Sequence, residues 1–170
     1  NSRTEELLKA FRDNPTSSLI IDGPQATGAE SIVEKLAKDM LGADAANNIV
    51  AIGPEEGKAI GVEKIRELKS MLSTSVSTNG IGRVAIIKNS QHMTREAQNA
   101  LLKLIEEPVQ GVVVVLHADD FSALLTTITS RCQRIRALPL SKEQAFSYGQ
   151  SEGYDSDAVQ KAHKLSSGEA

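Results

Sequence analysis

Short apolar runs alternate along the chain with stripes of apolar residues that recur every three or four positions. The runs predict strands because they are brief, mostly continuous and rich in β-branched residues. The stripes predict helices with one buried face. Continuous strands interleaved with helices are typical of a parallel sheet covered on both faces. We therefore predict an α/β fold whose five strands lie at 18–22, 49–52, 83–88, 112–117 and 131–138.

The helical stripes also suggest how the chain is divided. The first helix is predicted to end at Asn14, because a proline follows and disfavours helical backbone in the residue before it. Thr94 is a candidate N-cap for the helix that precedes the fourth strand. Beyond Pro139 the pattern changes to two further helices. We predict an α/β domain at 1–138 and the start of a small helical domain at 139–170.

Composition excludes several functions. The 170 residues are 40% hydrophobic, which is enough for a packed core, but only 3% aromatic. So few rings do not make a stacking surface for single-stranded nucleic acid, and a net charge of −3 provides no bulk attraction to it. The longest apolar run, 112–116, is far too short to cross a bilayer. We expect a cytoplasmic protein with no membrane partner.

Metal and disulfide chemistry are limited by the residues available. The chain has one cysteine, Cys132, and three scattered histidines without ligand spacing. A single thiol allows neither an intramolecular disulfide nor a cysteine-based zinc site. We therefore predict no metal site and no bound zinc.

A glycine-containing turn follows the first predicted strand. Gly23 and Gly28 have the G-x-x-x-x-G spacing of a phosphate-binding loop, in the strand-to-helix context that such a loop requires. A working loop continues with a lysine for the β- and γ-phosphates and a Ser or Thr for Mg²⁺, where this chain has Ala29 and Glu30. Like charges 4 Å apart repel by roughly 4 kcal/mol at an effective dielectric near 20, against about 0.3–1 kcal/mol from a helix dipole. We do not expect this degenerate loop to bind ATP or Mg²⁺ tightly; an ordinary strand-to-helix turn is the alternative.

Hydrolysis would also need carboxylates at the end of a strand, to hold Mg²⁺ and to orient water. Lys88, Asn89 and Ser90 follow Ile87 at the end of the third predicted strand, and none of them carries a carboxylate. Asp119-Asp120 is the only acidic pair near a strand end, and we interpret it as a solvated turn. The pattern is typical of a nucleotide-binding fold without its catalysis.

Two motifs carry a family resemblance. Segment 99–108 reads NALLKLIEEP, and segment 127–132 reads TITSRC. At this separation the pair resembles the clamp-loader branch of the AAA+ family. The resemblance covers nearly the whole chain, although 1–17 and 41–58 match only loosely.

The resemblance implies a fold and a role. The fold is a P-loop AAA+ module with a five-stranded parallel sheet flanked by helices, followed by a helical lid that is present here in part. The role is in a ring that places a sliding clamp on primed DNA during replication by bacterial DNA polymerase III. Partners would be gamma- or tau-type ATPase subunits and a delta-type wrench subunit. A degraded phosphate loop beside an intact Ser-Arg-Cys motif is similar to the delta-prime type of subunit, which does not hydrolyse ATP.

The same resemblance implies one catalytic candidate. In the family, the arginine of the Ser-Arg-Cys motif reaches across a subunit boundary to ATP held by a neighbour, so Arg131 would be an arginine finger acting in trans. A planar, permanently charged guanidinium suits that task. Ser130 is expected to position the turn and Cys132 to pack as a small hydrophobe. A surface arginine without a role is the alternative for Arg131.

The remaining charged residues have structural explanations. Glu107 is predicted to pair with Lys103 one turn back on the same helix. Arg83, Lys88 and Arg95 lie either on a solvated face or on a surface toward DNA or another subunit. Two other functions stay open: an active gamma-type clamp-loader ATPase whose loop tolerates its substitutions, and an α/β binding module that senses a nucleotide or phosphate.

Overall fold

The structure is a computed structural model that describes residues 2–16, 18–24, 27–73 and 80–138, together with the isolated residues 155 and 157. The predicted helical domain at 139–170 lies outside the described residues apart from those two, so the boundary at residue 138 stays a prediction. Among the described residues, no helix combines the length and the apolar character that a bilayer crossing requires.

Strands and helices alternate as the apolar pattern predicts. The strands are β1 (Ser18–Asp22), β2 (Ile49–Ile52), β3 (Arg83–Ile87), β4 (Val112–Ala118) and β5 (Gln133–Arg136). The long helices are α1 (Ser2–Asp13), α2 (Ala29–Leu41), α4 (Val62–Leu72) and α5 (Arg95–Glu106). Two helices of four residues each are α3 (Ala45–Asn48) and α6 (Thr126–Thr129).

The five strands form one parallel sheet in the order β2-β3-β4-β1-β5. The predicted five-stranded parallel sheet is therefore confirmed. Because all strands run in the same direction, their last residues lie at one edge of the sheet, the carboxyl edge, and their first residues lie at the opposite, amino edge. Asp22 at the end of β1 is opposite both Ala118 of β4 and Arg136 of β5, so the central strands end level with one another.

The core lies on both faces of the sheet, as predicted. Because side chains alternate along a strand, neighbours in β1 pack on opposite sides: Ile20 belongs to one cluster, and Leu19 and Ile21 belong to the other. The first cluster includes Leu68 of α4, Leu101 of α5 and inward residues of β3 and β4. The second includes Phe11 of α1 and, from α2, Val33, Leu36 and Ala37.

Several boundaries differ from the prediction at the sheet edges. β3 ends at Ile87, so Lys88 is the first residue beyond it, and β4 continues through Ala118. β5 is shorter than predicted, which leaves Arg131 in the turn before the strand. Thr94 does cap α5: its hydroxyl accepts a hydrogen bond from the Ala97 amide at 3.1 Å. The two four-residue helices are too short to show a periodic pattern.

Candidate functional site

The loop after β1 needs its glycines for steric reasons. A Cβ on Gly23 would lie 2.7 Å from Thr27 Oγ1 and 2.8 Å from the Ala137 carbonyl oxygen, so only glycine fits there. Gly28 has φ +67°, in the left-handed region that favours glycine. The Thr27 hydroxyl donates a hydrogen bond to the Pro24 carbonyl at 2.7 Å and fastens the turn. Both glycines predicted for the degenerate loop are therefore explained by backbone geometry alone.

Asp22, the last residue of β1, is neutralised immediately before this loop. Arg134 of β5 donates two hydrogen bonds to its carboxylate, from Nε at 2.7 Å and from Nη2 at 2.8 Å. The Asp22 side chain is 6% exposed, whereas that of Arg134 is 42% exposed and stacks 3.6 Å over the Phe121 ring. The paired carboxylate raises the pKa of Arg134 above its usual value. The sequence analysis did not single out this pair, because a distance of 112 residues separates its members.

Lys88 lies across the carboxyl edge from the start of α2. Its Nζ is 2.9 Å from Glu30 Oε1 and 2.5 Å from Glu34 Oε1. Hydrogen bonds with the two carboxylates raise the pKa of Lys88, and the bond from Lys88 lowers the pKa of Glu34. The sequence analysis gives two alternatives for Lys88, a solvated face or a surface toward DNA or another subunit. Lys88 is not fully solvated, because its ammonium group pairs with two carboxylates of its own chain and its side chain is 29% exposed; a surface toward another molecule stays a prediction.

The end of β4 adds a polar cluster beside Lys88. His117 is buried, and its Nδ1 accepts a hydrogen bond from the Asn89 amide at 3.2 Å. Burial is the main cause of its lowered pKa, so the ring is neutral near pH 7. Gln91 binds Asp119 twice: Gln91 Nε2 donates to the Asp119 carboxylate at 3.3 Å, and the Asp119 backbone amide donates to Gln91 Oε1 at 3.1 Å. The interpretation of Asp119-Asp120 as a solvated turn is thus correct for the exposed Asp120 and wrong for the half-buried Asp119.

These side chains differ from those that hold a magnesium nucleotide in a working phosphate-loop site. Such a ligand needs a lysine and a hydroxyl in the loop and a carboxylate at a strand end. The corresponding places hold Ala29, which is buried in the core, Glu30, and Lys88. Within the part of the chain that the structure describes, no group of three or more His, Cys, Asp or Glu residues could hold a metal ion.

The Ser-Arg-Cys turn follows α6. Arg131 is 43% exposed, and its Nε lies 2.9 Å from Glu106 Oε1. Its Nη1 donates to the Thr127 carbonyl at 3.0 Å and to Ser130 Oγ at 3.4 Å. The side chain is thus exposed, while its guanidinium is held by three contacts with its own chain. The role of Arg131 as an arginine finger stays a prediction.

The neighbours of Arg131 have structural tasks. Ser130 donates a hydrogen bond to Thr127 as well as accepting one, so it helps to shape the turn. Cys132 is partly buried against the core, and burial raises the pKa of its thiol to about 11. That pKa agrees with packing rather than reactivity. The predicted pair of Lys103 with Glu107 is not among the ion pairs of the described residues, where Glu106 pairs with Arg131 instead.

The buried side chain of Gln98, on α5, holds the segment that precedes α6 and the Ser-Arg-Cys turn. Gln98 Oε1 accepts a hydrogen bond from the Leu125 amide at 2.7 Å, and its Nε2 donates to the Ala123 carbonyl at 3.2 Å. Both bonds join α5 to the segment that leads into α6 and Arg131. Sequence analysis missed this contact, although a polar residue beside the apolar stripe of α5 was an available signal.

The glycine loop after β1 and the Arg131 turn lie at opposite edges of the sheet. The loop starts directly after Asp22, at the carboxyl edge, and Asp22 is level with Arg136 of the neighbouring strand. Arg131 comes five residues before Arg136, at the amino edge. With a rise of about 3.3 Å per residue, β5 alone spans roughly 10 Å, and Arg131 lies in the turn before it. The structure therefore brings Gly23, Gly28, Ala29 and Glu30 together, and it keeps Ser130, Arg131 and Cys132 apart from them.

A five-stranded parallel sheet in this order, with a glycine loop between β1 and α2, defines a P-loop AAA+ module. The family model described as "DNA polymerase III, delta subunit" matches residues 5–141. This match covers well over half of the chain, and the chain belongs to that family.

Relatives of known sequence agree with this family. DNA polymerase III subunit delta' of Haemophilus influenzae is 36% identical over 97 residues, which are 57% of this chain and 29% of the relative. The subunit of the same name from Pseudomonas aeruginosa is 32% identical and covers 78% of this chain and 39% of its own. The replication factor C small subunit of Staphylothermus marinus is 27% identical over 95% of this chain and 51% of its own. The chain thus spans between about a third and a half of these relatives.

Solved structures show the same fold. A DNA polymerase III gamma subunit-related protein of Thermotoga maritima has a TM-score of 0.69 at 25% identity, over 95% of this chain and 57% of its own. The RuvB Holliday junction branch migration motor of the same organism has a TM-score of 0.63 at 11% identity, over 97% of this chain and 54% of its own. The second likeness concerns the fold alone.

Proposed function

We propose that this chain is part of a delta-prime-type clamp-loader subunit, which supports the loading of a sliding clamp during DNA replication in the cytoplasm. It does not hydrolyse ATP, and it donates Arg131 as an arginine finger to a neighbouring ATPase subunit. Its partners are gamma- or tau-type ATPase subunits and a delta-type subunit; the clamp and primed DNA are reached through the assembly. Family membership and the delta' relatives support the role in clamp loading.

The position of Arg131 carries the proposal. It is exposed at the amino edge, and the loop of its own chain is at the carboxyl edge, well beyond the reach of one side chain. An arginine placed in this way serves a phosphate group only if another molecule supplies the phosphate. The guanidinium would then stabilise the charge that develops on the transferred phosphoryl group.

Two features of the loop support the absence of hydrolysis in this chain. Ala29 is buried among apolar side chains, and Glu30 brings a carboxylate to the place of the magnesium-binding hydroxyl. No observation favours the two alternatives, an active gamma-type ATPase and a nucleotide- or phosphate-sensing module. Calorimetric titration of the full-length protein with Mg-ATP tests this point: we expect no binding at micromolar nucleotide, and a dissociation constant of a few micromolar would contradict the proposal.

The trans role is tested by Arg131→Ala in the reconstituted loader made from full-length subunits. We expect ATP turnover at saturating clamp and primed DNA to fall by about two orders of magnitude or more. The free energy of unfolding should change by no more than about 0.5 kcal/mol, as for other surface sites. Arg131→Lys should restore little activity, because an ammonium group lacks the planar fork of donors.

Arg136→Ala is the matched control, since Arg136 is another exposed arginine, on the strand that follows the turn. It should leave ATP turnover unchanged. Equal turnover of wild-type and Arg131→Ala complexes, with the assembly intact, would remove the proposed role of Arg131.

A further inference from the structure

We propose that Lys88 is a resident cation, which takes the place that Mg²⁺ holds in a working phosphate-loop site and ties the end of β3 permanently to α2. This inference rests on the proposed function in one respect, namely that the loop does not take a magnesium nucleotide. It adds that Lys88 occupies the place of the magnesium ion, and it states what the ammonium group does there.

The position of the Lys88 ammonium group is the first argument. In a working P-loop site, Mg²⁺ is held by the hydroxyl residue of the loop and by an acidic residue of a nearby strand. Here the residue in the place of the hydroxyl is Glu30, and the residue that follows β3 is Lys88. Lys88 Nζ lies 2.9 Å from Glu30 Oε1. Compared with a working site, the negative charge comes from the helix instead of from the strand end, and the strand end supplies the cation.

The charge balance around Lys88 is the second argument. Glu30 and Glu34 are four residues apart on α2, a spacing at which like charges repel. Lys88 contacts both carboxylates and is 29% exposed, whereas Glu30 and Glu34 are 47% and 44% exposed. Solvent therefore screens the two carboxylates substantially and the ammonium group less. The cation therefore removes a repulsion as well as adding two attractions. The raised pKa of Lys88 and the lowered pKa of Glu34 agree with this arrangement.

The consequence is mechanical. β3 and α2 belong to different parts of the chain, and the contacts between Lys88 and the two glutamates span 54 and 58 positions. A bound ion that joins a helix to a strand end can leave, whereas a lysine cannot. The carboxyl edge of this subunit is thus held in one arrangement whether or not nucleotide and Mg²⁺ are present.

The experiment replaces Lys88 in the full-length protein and follows thermal unfolding in EDTA and in millimolar MgCl2. Wild-type protein should have the same Tm in both. Lys88→Met should lower the Tm in EDTA by about 2–5 °C, because Glu30 and Glu34 then face each other without a cation. Millimolar Mg²⁺ should restore about 2–4 °C once its free concentration is about five times its dissociation constant, since the ion replaces the missing ammonium group.

Lys35→Met is the matched control. Lys35 is on the same helix and pairs with Asp39 at 3.4 Å, but it is largely exposed. Its loss should change neither the Tm in EDTA nor the response to Mg²⁺. A second variant, Lys88→Met with Glu34→Gln, keeps the test decisive if the single variant folds poorly. It relieves the repulsion, so it should regain stability in EDTA and lose the response to Mg²⁺.

The inference is overturned if Lys88→Met is as stable as wild type in EDTA, or if Mg²⁺ stabilises it no more than it stabilises Lys35→Met. Either result leaves the proposed function standing, because Mg-ATP titration and the Arg131 variants test that function separately. Conversely, unchanged turnover in Arg131→Ala complexes would remove the trans role without affecting the response of Lys88→Met to Mg²⁺.

Discussion

The loop after β1 and the turn before β5 lie next to neighbouring strands, and both carry charged side chains. The two places differ in how these charges are paired and buried. At the loop, Asp22 pairs with Arg134, and Lys88 pairs with Glu30 and Glu34. All of these groups face partners within the chain. At the turn, Arg131 is bound along one side and stays exposed along the other.

This difference shows what makes a charged group available to a second molecule. A charge that is buried and paired within the chain, such as the Asp22 carboxylate with 6% of its side chain exposed, stabilises the fold but has little left to offer to a ligand. A charge that is anchored on one side keeps its orientation and can still bind, because preorganisation and exposure are combined. The three predictions below test the two halves of this contrast.

The largest effect is expected when the Asp22–Arg134 pair is broken by replacing its exposed member, Arg134. Arg134→Ala leaves the buried Asp22 carboxylate without its partner and should lower the free energy of unfolding by about 2–4 kcal/mol. Asp22→Ala should have a smaller effect, about 1–2 kcal/mol, because the half-exposed guanidinium of Arg134 can be rehydrated. Urea denaturation of both variants measures this asymmetry. Equal losses would contradict the argument from burial.

An intermediate effect is expected at the anchored turn. Glu106→Ala removes the carboxylate that binds Arg131 Nε, and we expect ATP turnover of the reconstituted loader to fall by about tenfold, since small misplacements of a positioned group are costly. Glu107→Ala is the adjacent control and should leave turnover unchanged. The Tm of both variants should stay close to that of wild type. The anchoring argument fails if Glu106→Ala turns over ATP as fast as Glu107→Ala does.

The smallest expected effect is the contribution of His117 to the pH dependence of stability. Burial lowers the pKa of His117; Asp119 and Glu30 oppose the shift, and Lys88 adds to it. The unfolded chain therefore takes up a proton near the ordinary pKa of 6.5, while the folded protein does not. Stability should fall as the pH drops through that value, by at most about 1.4 kcal/mol per pH unit.

Unfolding free energies measured from about pH 7.5 to 5.5 test the histidine prediction. His117→Gln should flatten the profile and keep an acceptor for the Asn89 amide. The exposed His92, replaced by Gln, is the control and should leave the wild-type slope in place. A wild-type slope that survives in His117→Gln would assign the pH dependence to other groups.

Local patterns were sufficient to predict the order of the strands and of the long helices. Apolar runs such as 112–117 indicate buried strands, and a polar residue such as Thr94 before a stripe indicates a helix start, because both depend on residues close together in the chain. The Ser-Arg-Cys motif made Arg131 a candidate through family resemblance. Its exposed position could be anticipated from the same resemblance, whereas its bond to Glu106 could not, since 25 positions separate the two residues.

The sequence by itself thus determined the parallel α/β fold, the glycines of the loop, and the residues that replace those of a working site, namely Ala29 for the lysine, Glu30 for the hydroxyl residue and Lys88 for a carboxylate directly after β3. Tertiary structure decided the rest: Lys88 reaches Glu30 and Glu34, Arg134 neutralises Asp22, and Arg131 stands at the opposite edge from the loop. The physical reason is that the apolar pattern specifies which face of each element is buried. The partners of a charge are set by strand order and register, which bring distant segments to the same edge of the sheet.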